Sequence, residues 1–171
     1  VITHAHLDHS GCVPALFNGG NTSVYCTSPT LDLSMLLIED MLKIEKNKHS
    51  FHNGHVNNML RNSKEIRFKE PVKVGNAIFE LRSSGHVIGG STVRVEANDK
   101  RLFYTRDINP NGSRMLTKAD FDAMKAQVPH WEALHTDQGF LLIRQQAVHA
   151  AAVQLAADLA NDGGGQQVGG G

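Results

Sequence analysis

The chain has 171 residues, 40% of them hydrophobic and 20% charged, a composition that suits one soluble globular domain with a buried core. Its 17 basic residues are balanced by 17 acidic ones, so the bulk charge lacks the basic surplus that dedicated nucleic-acid binders usually carry. No run of about 18 apolar residues occurs, which excludes a membrane-spanning helix on length alone.

The predicted elements begin with a buried β-segment at residues 1–3, which opens the chain without a methionine. We therefore expect a fragment that lacks at least one preceding strand. Alternating side chains predict a short strand at 23–27, and helical spacing predicts an amphipathic helix at 30–46. The apolar positions of that helix are Leu31, Met35, Ile38 and Leu42.

The polar stretch at 47–58 is predicted to be a solvated loop. It contains three histidines, His49, His52 and His55, which could be mistaken for a metal site. No carboxylate or cysteine lies among them, and their neighbours include Asn and Gly. We therefore interpret these histidines as loop residues rather than ligands.

A β-rich block follows the helix and the loop. Patterns typical of strands occur at 66–68, 77–83, 91–97 and 101–104, with a turn at 98–100. Thr117 with Asp120 resembles a capping box and predicts a helix that ends near residue 127. A strand at 131–136 and a helix at 143–160 come next, and the glycine-rich residues 163–171 are predicted to form a flexible tail. We expect a β-sheet layer with helices packed outside it.

Four side chains that can bind metal stand within six residues near the start: His4, His6, Asp8 and His9. The first two project to the same side of an extended segment, and the other two follow at the bend. Neutral imidazole suits zinc, and a carboxylate oxygen can bind a metal or hold a water molecule. This segment therefore predicts ligands for two neighbouring divalent cations.

Two later residues, His86 and Asp107, lie just beyond predicted strands and can complete such a centre. Gly85 and Gly89 bracket His86, and glycine permits the positive φ and close backbone approach that a tight loop needs. A carboxylate from Asp107 can bridge two cations. Taken alone, His86 could equally be a surface residue of an ordinary turn, and Asp107 a helix cap or a turn residue ahead of Asn109-Pro110.

These motifs resemble those of the metallo-β-lactamase superfamily. Residues 3–11 are similar to its HxHxDH signature, 84–91 to its glycine-flanked histidine motif, and 102–110 to the strand that ends in a bridging aspartate. Residues 24–30, the residues around His86 and the Asn109-Pro110 pair resemble, more narrowly, the β-CASP branch, which holds RNA- and DNA-processing nucleases. The resemblance covers about residues 1–142.

The resemblance implies an α/β (α+β) fold, namely a partial αββα sandwich in which residues 1–162 are one domain truncated at both ends. It also implies two divalent metal ions, with zinc expected and manganese or iron as alternatives. The implied ligands are His4, His6 and His86 for one ion, Asp8 and His9 for the other, and Asp107 between the two.

The implied function is a metal-dependent hydrolase, and more narrowly a β-CASP-type ribonuclease that cleaves RNA phosphodiester bonds with a hydroxide held by the two cations. Asp8 is the expected catalytic residue, which orients the nucleophile or accepts its proton. Asp137 is expected to orient a metal ligand. The expected partners are RNA, or else DNA, and a second copy of the chain or a related subunit. Two cysteines, Cys12 and Cys26, without a signal peptide indicate a cytoplasmic protein, or a nuclear one in a eukaryote.

The chain also departs from the family pattern. Arg106 stands where family members usually have glycine, and a bulky cation there could pair with a substrate phosphate or obstruct a metal. Gly90 replaces a common serine or alanine, and no later histidine matches those that complete the second metal site. We therefore expect one ion to bind tightly and the second weakly, with feeble activity at best.

Two other functions stay open at the level of sequence. The same hydroxide could attack a carbonyl carbon, which would make the chain a hydrolase of small esters or thioesters. Alternatively, the chain could be a catalytically weak interaction module that the metal stabilises. Residues 24–30 and the long helix after them favour the nuclease branch.

Overall fold

The computed structural model describes residues 1–19, 22–46, 48–98, 100–120, 133–135 and 141–143. It contains both helices and strands, which confirms the predicted α/β class. In chain order the described elements are α1 (Leu7–Ser10), a 3-10 helix (Val13–Phe17), β1 (Val24–Cys26), α2 (Ser28–Ile44), α3 (Asn53–Arg61), β2 (Ser63–Glu65), β3 (Val72–Val74), β4 (Ala77–Ser83), β5 (Ser91–Ala97), β6 (Lys100–Tyr104), β7 (Ala133–His135) and β8 (Leu141–Ile143).

The strands of the described residues pair in three groups. β1 and β2 are parallel, β3 to β6 form an antiparallel sheet in sequence order, and β7 pairs with β8 in antiparallel fashion. The predicted bounds of β4 and β5 are confirmed, and their register runs from Ile78 opposite Glu96 to Ser83 opposite Ser91. The ends of β4 and β6 lead directly into the segments that carry His86 and Asp107.

The first residues of the chain connect two of these groups. The Ile2 N–H donates to the Tyr25 carbonyl at 3.0 Å, and the Thr3 carbonyl accepts from the Ser91 N–H at 2.7 Å and from its hydroxyl at 2.9 Å. Ile2 and Thr3 are buried, as predicted, and lie between β1 and the start of β5, whereas Val1 is exposed and residues 1–3 form no regular strand. The backbone bonds of this segment therefore fix the point from which the next residue, His4, leaves the core.

Helix α2 confirms the predicted amphipathic helix, although it begins two residues earlier. The Thr27 hydroxyl accepts from the Thr30 N–H at 3.4 Å, and Pro29 lies in the first turn, where its missing N–H costs nothing. Leu31 and Ile38 are buried one above the other on its inner face. The core against which they pack comprises Ile2, Phe17, Val24, Cys26, Phe51, Val56 and Met59.

The solvated loop predicted at 47–58 is only partly correct, because α3 begins at Asn53. The His52 ring accepts from the Gly54 N–H at 3.1 Å, and the His55 ring accepts from the His52 N–H at 3.1 Å, so two histidines cap the helix. Val56 and Met59 lie buried on one face of α3. His52 and His55 thus have a structural role, and the His49 Nε2 lies 3.0 Å from the Glu45 Oε2; that none of the three binds a metal stays a prediction.

Two other predicted elements are wrong in position. The strand expected at 66–68 lies at Ser63–Glu65, since β1 sets its parallel register and only the Ile66 N–H continues the pairing, to Cys26. The helix expected to begin at Thr117 is absent from residues 117–120. The N–H groups of Ala119 and Asp120 donate instead to the carbonyls of Asn109 and Ser83.

Strand β7 confirms a strand within 131–136, whereas Ile143, the expected first residue of a helix, ends β8. The remainder of that helix and the glycine-rich tail lie outside the described residues. None of the described helices combines the length and the apolar character that crossing a membrane requires.

Candidate metal centre

His4 enters the centre from the buried N-terminal segment. Its side chain is almost fully buried, and its Nδ1 lies 3.2 Å from the Thr3 hydroxyl. Burial lowers its pKa to about 4, with the neighbouring His9 as the next cause, so the ring is neutral at neutral pH. A hydroxyl that accepts from Nδ1–H leaves the Nε2 lone pair directed at the other ligands.

The short turn α1 directs the next three polar side chains. Ser10 is fully buried, and its hydroxyl contacts two carbonyls, that of Ala5 at 2.8 Å and that of His6 at 3.1 Å. These bonds fix the backbone between the strand-like segment and the turn, where His6, Asp8 and His9 are located. Sequence analysis did not assign Ser10 a role, because a serine after a histidine motif carries no signal of its own.

The loop that carries His86 docks on the first turn of α2. The Gly89 carbonyl accepts from the Thr27 hydroxyl at 2.8 Å and from the Thr30 hydroxyl at 2.9 Å. Gly89 has φ +74°, and a Cβ there would lie 2.7 Å from the Thr27 Oγ1 and 2.8 Å from the Thr30 N. Both threonines therefore position the loop, a role that sequence analysis missed although it singled out the segment that contains them.

Gly85, on the other side of His86, has φ +66° and is packed against a different segment. A Cβ there would lie 2.6 Å from the Ala119 N and 2.8 Å from the Asn109 carbonyl oxygen. The expectation that both flanking glycines adopt positive φ is confirmed. The resulting tight loop directs the His86 ring at His6, with 3.5 Å between the His86 Nε2 and the His6 Nδ1.

Asp107 follows β6, and its Oδ2 lies close to three imidazoles. The distances are 3.5 Å to the His4 Nε2, 3.6 Å to the His9 Nε2 and 3.6 Å to the His86 Nε2. One carboxylate oxygen thus faces rings from two chain segments about eighty residues apart in sequence. Burial also lowers the pKa of His86, which favours its neutral, metal-binding form.

Four side chains form a compact group that suits a metal ion, those of His4, His6, His86 and Asp107. Each offers one ligand atom, and these atoms all lie within 4.8 Å of one another; the distance from the His4 Nε2 to the His6 Nδ1 is 3.2 Å. An ion with tetrahedral bonds of about 2.0–2.1 Å requires ligand atoms about 3.3–3.4 Å apart. Their spacing and chemistry therefore fit a zinc-like divalent cation.

Asp8 and His9 lie on the other side of Asp107. The His9 Nε2 is 3.1 Å from the Asp8 Oδ2, while the Asp8 side chain is 75% exposed. On the far side of the His9 ring, Nδ1 lies 3.2 Å from the Arg106 Nη2. This half of the centre is thus more open, and a cationic side chain borders it.

The structure brings all six predicted ligands together, and their roles as metal ligands stay predictions. Their side chains meet in one cluster, with ring centroids 4.2 Å apart for His4 and His9 and 5.1 Å apart for His6 and His86. Asp137, the other predicted site residue, lies outside the described residues.

The chain matches a known protein family. The sequence profile described as "Metallo-beta-lactamase superfamily domain" matches residues 1–138. The RNase J-like protein of Methanocaldococcus jannaschii is 31% identical over 123 residues, which are 71% of this chain and 28% of that protein.

Two further relatives are named for transcription termination and for cleavage and polyadenylation. The transcription termination factor FttA of Methanothermobacter thermautotrophicus is 34% identical over 126 residues, which are 70% of this chain and 20% of that protein. The cleavage and polyadenylation specificity factor subunit 3-II of Arabidopsis thaliana is 29% identical over 133 residues, 73% of this chain and 22% of that protein. The chain thus spans 20–28% of the length of these three relatives. Their similarity agrees with the resemblance to the β-CASP branch.

Proposed function

The chain belongs to the metallo-β-lactamase superfamily, and from this membership we propose that it is a β-CASP-type ribonuclease domain. The fold is that of a metal-dependent hydrolase. The narrower activity, cleavage of RNA phosphodiester bonds, is supported by relatives named as RNase J-like protein and RNase aCSPSF2. The observation that carries the proposal is the single Asp107 oxygen that faces three imidazoles.

In this proposal, His4, His6, His86 and Asp107 hold one divalent cation, and Asp8 and His9 border a second position. When bound, divalent cations supply Lewis acidity and make water acidic enough to act as a nucleophile near neutral pH. The lowered pKa values of the buried His4 ring and the half-buried His86 ring favour the neutral forms, whose lone pairs are available for binding. Thr3, Ser10, Thr27 and Thr30 fix the segments that carry them.

Asp8 is the proposed proton acceptor. Its carboxylate is exposed to solvent yet lies within hydrogen-bond distance of the His9 ring, so it can receive a proton at the mouth of the centre without leaving it. We expect Asp8→Asn to lower the cleavage rate by about 10²–10⁴-fold, because the amide cannot accept that proton. Asp40→Asn is the matched control, since Asp40 is an exposed carboxylate on α2 paired only with Lys43 among the described contacts. Equal rates for Asp8→Asn and the unmodified chain would refute this role.

The experiment for the proposed function measures metal content and cleavage on the same purified chain. Elemental analysis and a single-turnover assay with labelled RNA are performed with and without a chelator. We expect bound zinc, manganese or iron and feeble, chelator-sensitive RNA cleavage, both of which Asp107→Asn abolishes while Asp40→Asn retains them.

Each other outcome contradicts the nuclease proposal in a different way. Uncut RNA together with chelator-sensitive hydrolysis of a small ester or thioester would favour a small-ester hydrolase. Metal binding without hydrolysis of either substrate would favour a metal-stabilised interaction module. A chain that binds no divalent ion would overturn the proposed centre as a whole.

A further inference from the structure

Arg106 places a positive charge next to the centre, which is unfavourable for a pair of bound cations. It has φ 43°, in the left-handed region that favours glycine, and its side chain is exposed. Its guanidinium nevertheless contacts the His9 ring, with the Nη2 at 3.2 Å and the Nε at 3.4 Å from the His9 Nδ1. A strained backbone thus holds a cation beside a proposed metal ligand.

This contact fixes the hydrogen-bonding role of both nitrogens of His9. A guanidinium can only donate, so the His9 Nδ1 must accept. The proton of the neutral ring then lies on Nε2, 3.1 Å from the Asp8 Oδ2. Arg106, His9 and Asp8 therefore form a hydrogen-bonded chain that is complete without a cation.

A histidine that binds a metal needs the opposite arrangement. It uses one nitrogen as the ligand and donates from the other to an acceptor. The His4 Nδ1 has such an acceptor available in the Thr3 hydroxyl, 3.2 Å away. The His9 Nδ1 instead faces a donor, and a second cation at Nε2 would also be repelled by the positive charge of Arg106.

We propose that Arg106 keeps a second cation out of the centre, so that this chain binds a single divalent ion at His4, His6, His86 and Asp107. This inference rests on the metal centre of the proposed function. It attributes the proposed difference between the two cation positions, one filled and one empty, to Arg106. The guanidinium lies on the Nδ1 side of the His9 ring, opposite the Nε2 that a second cation would use. Arg106 is a positioning residue, since it acts through the tautomer of His9.

The test is metal stoichiometry, measured with zinc by isothermal titration calorimetry and by elemental analysis after dialysis. The unmodified chain is expected to bind one zinc ion. Arg106→Gly removes the donor and the charge at a backbone position that suits glycine, and we expect it to bind two, with the second event tightened by about 10–100-fold. Adding His9→Gln to Arg106→Gly should return the stoichiometry to one.

Lys69→Gly is the matched control. Lys69 is also a cationic residue with positive φ, 67°, and its ammonium pairs with Asp120 rather than with the centre. This variant loses the same charge and gains the same backbone freedom, and it should still bind one ion. Circular dichroism on each variant checks that the fold is retained.

The outcomes separate this inference from the proposed function. Two equally tight zinc ions on the unmodified chain, or a single ion on Arg106→Gly, overturn the role of Arg106 while leaving the metal centre intact. No zinc on any variant overturns both, because Arg106 then has no second cation to exclude.

Discussion

Burial sets the protonation state of several single residues. Desolvation lowers the pKa of His4 and of His86, and it raises the pKa of the Cys26 thiol to about 11, with the nearby Glu65 as the next cause. In each case the uncharged form is favoured, since a low-dielectric environment disfavours charge. One physical cause thus keeps two proposed ligands neutral and a core thiol protonated.

The two cysteines should consequently differ in reactivity. Cys26 is fully buried with its raised pKa, whereas Cys12 is exposed. At pH 8 the folded chain should react with an aromatic disulfide reagent at Cys12 within minutes, while Cys26 should react only after unfolding in denaturant, because a thiolate is the reacting species. Cys12→Ser serves as the control and should show no fast phase. A fast phase in that variant would mean that Cys26 is accessible.

Among the secondary-structure elements, the contact between the His86 loop and α2 joins the four-stranded sheet to the parallel β1–β2 pair. The loop follows a strand of the four-stranded sheet, and the helix begins after β1 of the parallel pair. The hydroxyls of Thr27 and Thr30 both donate to the Gly89 carbonyl, so the first turn of α2 holds the loop in place. The position of His86 therefore depends on packing between elements about sixty residues apart.

Two glycines allow this contact to be tested. Gly89 and Gly75 both have positive φ, but a Cβ at Gly89 would collide with Thr27 and Thr30, whereas one at Gly75 meets nothing within 4 Å. Gly75→Ala should lower the free energy of unfolding by about 1–2 kcal/mol, the backbone cost alone. Gly89→Ala should lower it by at least about 2 kcal/mol more and weaken metal binding, because the loop must move. Urea unfolding measures the free energy of unfolding of both variants. Equal losses would show that the close contact of Gly89 with Thr27 and Thr30 does not hold the loop.

At the scale of the whole molecule, the centre joins segments that are distant in sequence. His4 and His6 come from the N-terminal segment, His86 from the loop after β4, and Asp107 from the end of β6. An ion bound by all of them binds the folded chain and not the unfolded one, so it should stabilise the fold by mass action.

Metal should therefore raise the melting temperature of the chain. At a free zinc concentration of about 100 times the dissociation constant the expected gain is about 2.7 kcal/mol, or about 5–10 °C for a chain of this size. Thermal unfolding followed by circular dichroism measures it, and excess chelator should reverse it. His86→Ala should lose most of the shift, whereas His55→Ala, a helix-cap change in α3, should retain it. An equal shift in both variants would show that the stabilising ion binds elsewhere.

Features that depend on local pattern follow from the amino-acid sequence. Period-two alternation gave the bounds of β4 and β5, and helical spacing gave α2, because one buried face imposes each periodicity. The spacing of His4, His6, Asp8 and His9 indicated a metal cluster and the family, since few other patterns concentrate so many donors in one turn.

Features that depend on a neighbour distant in sequence are visible only in the fold. The position of β2 is set by its parallel pairing with β1, and α3 is formed by histidine caps and a buried face that a polar segment does not reveal. Sequence placed Arg106 beside the centre, but only the fold shows that its guanidinium faces the His9 Nδ1. The periodicity of a segment fixes the face of the helix or strand on which each side chain lies. The donor and acceptor of a hydrogen bond, by contrast, depend on which atom the packing of distant segments brings opposite the side chain.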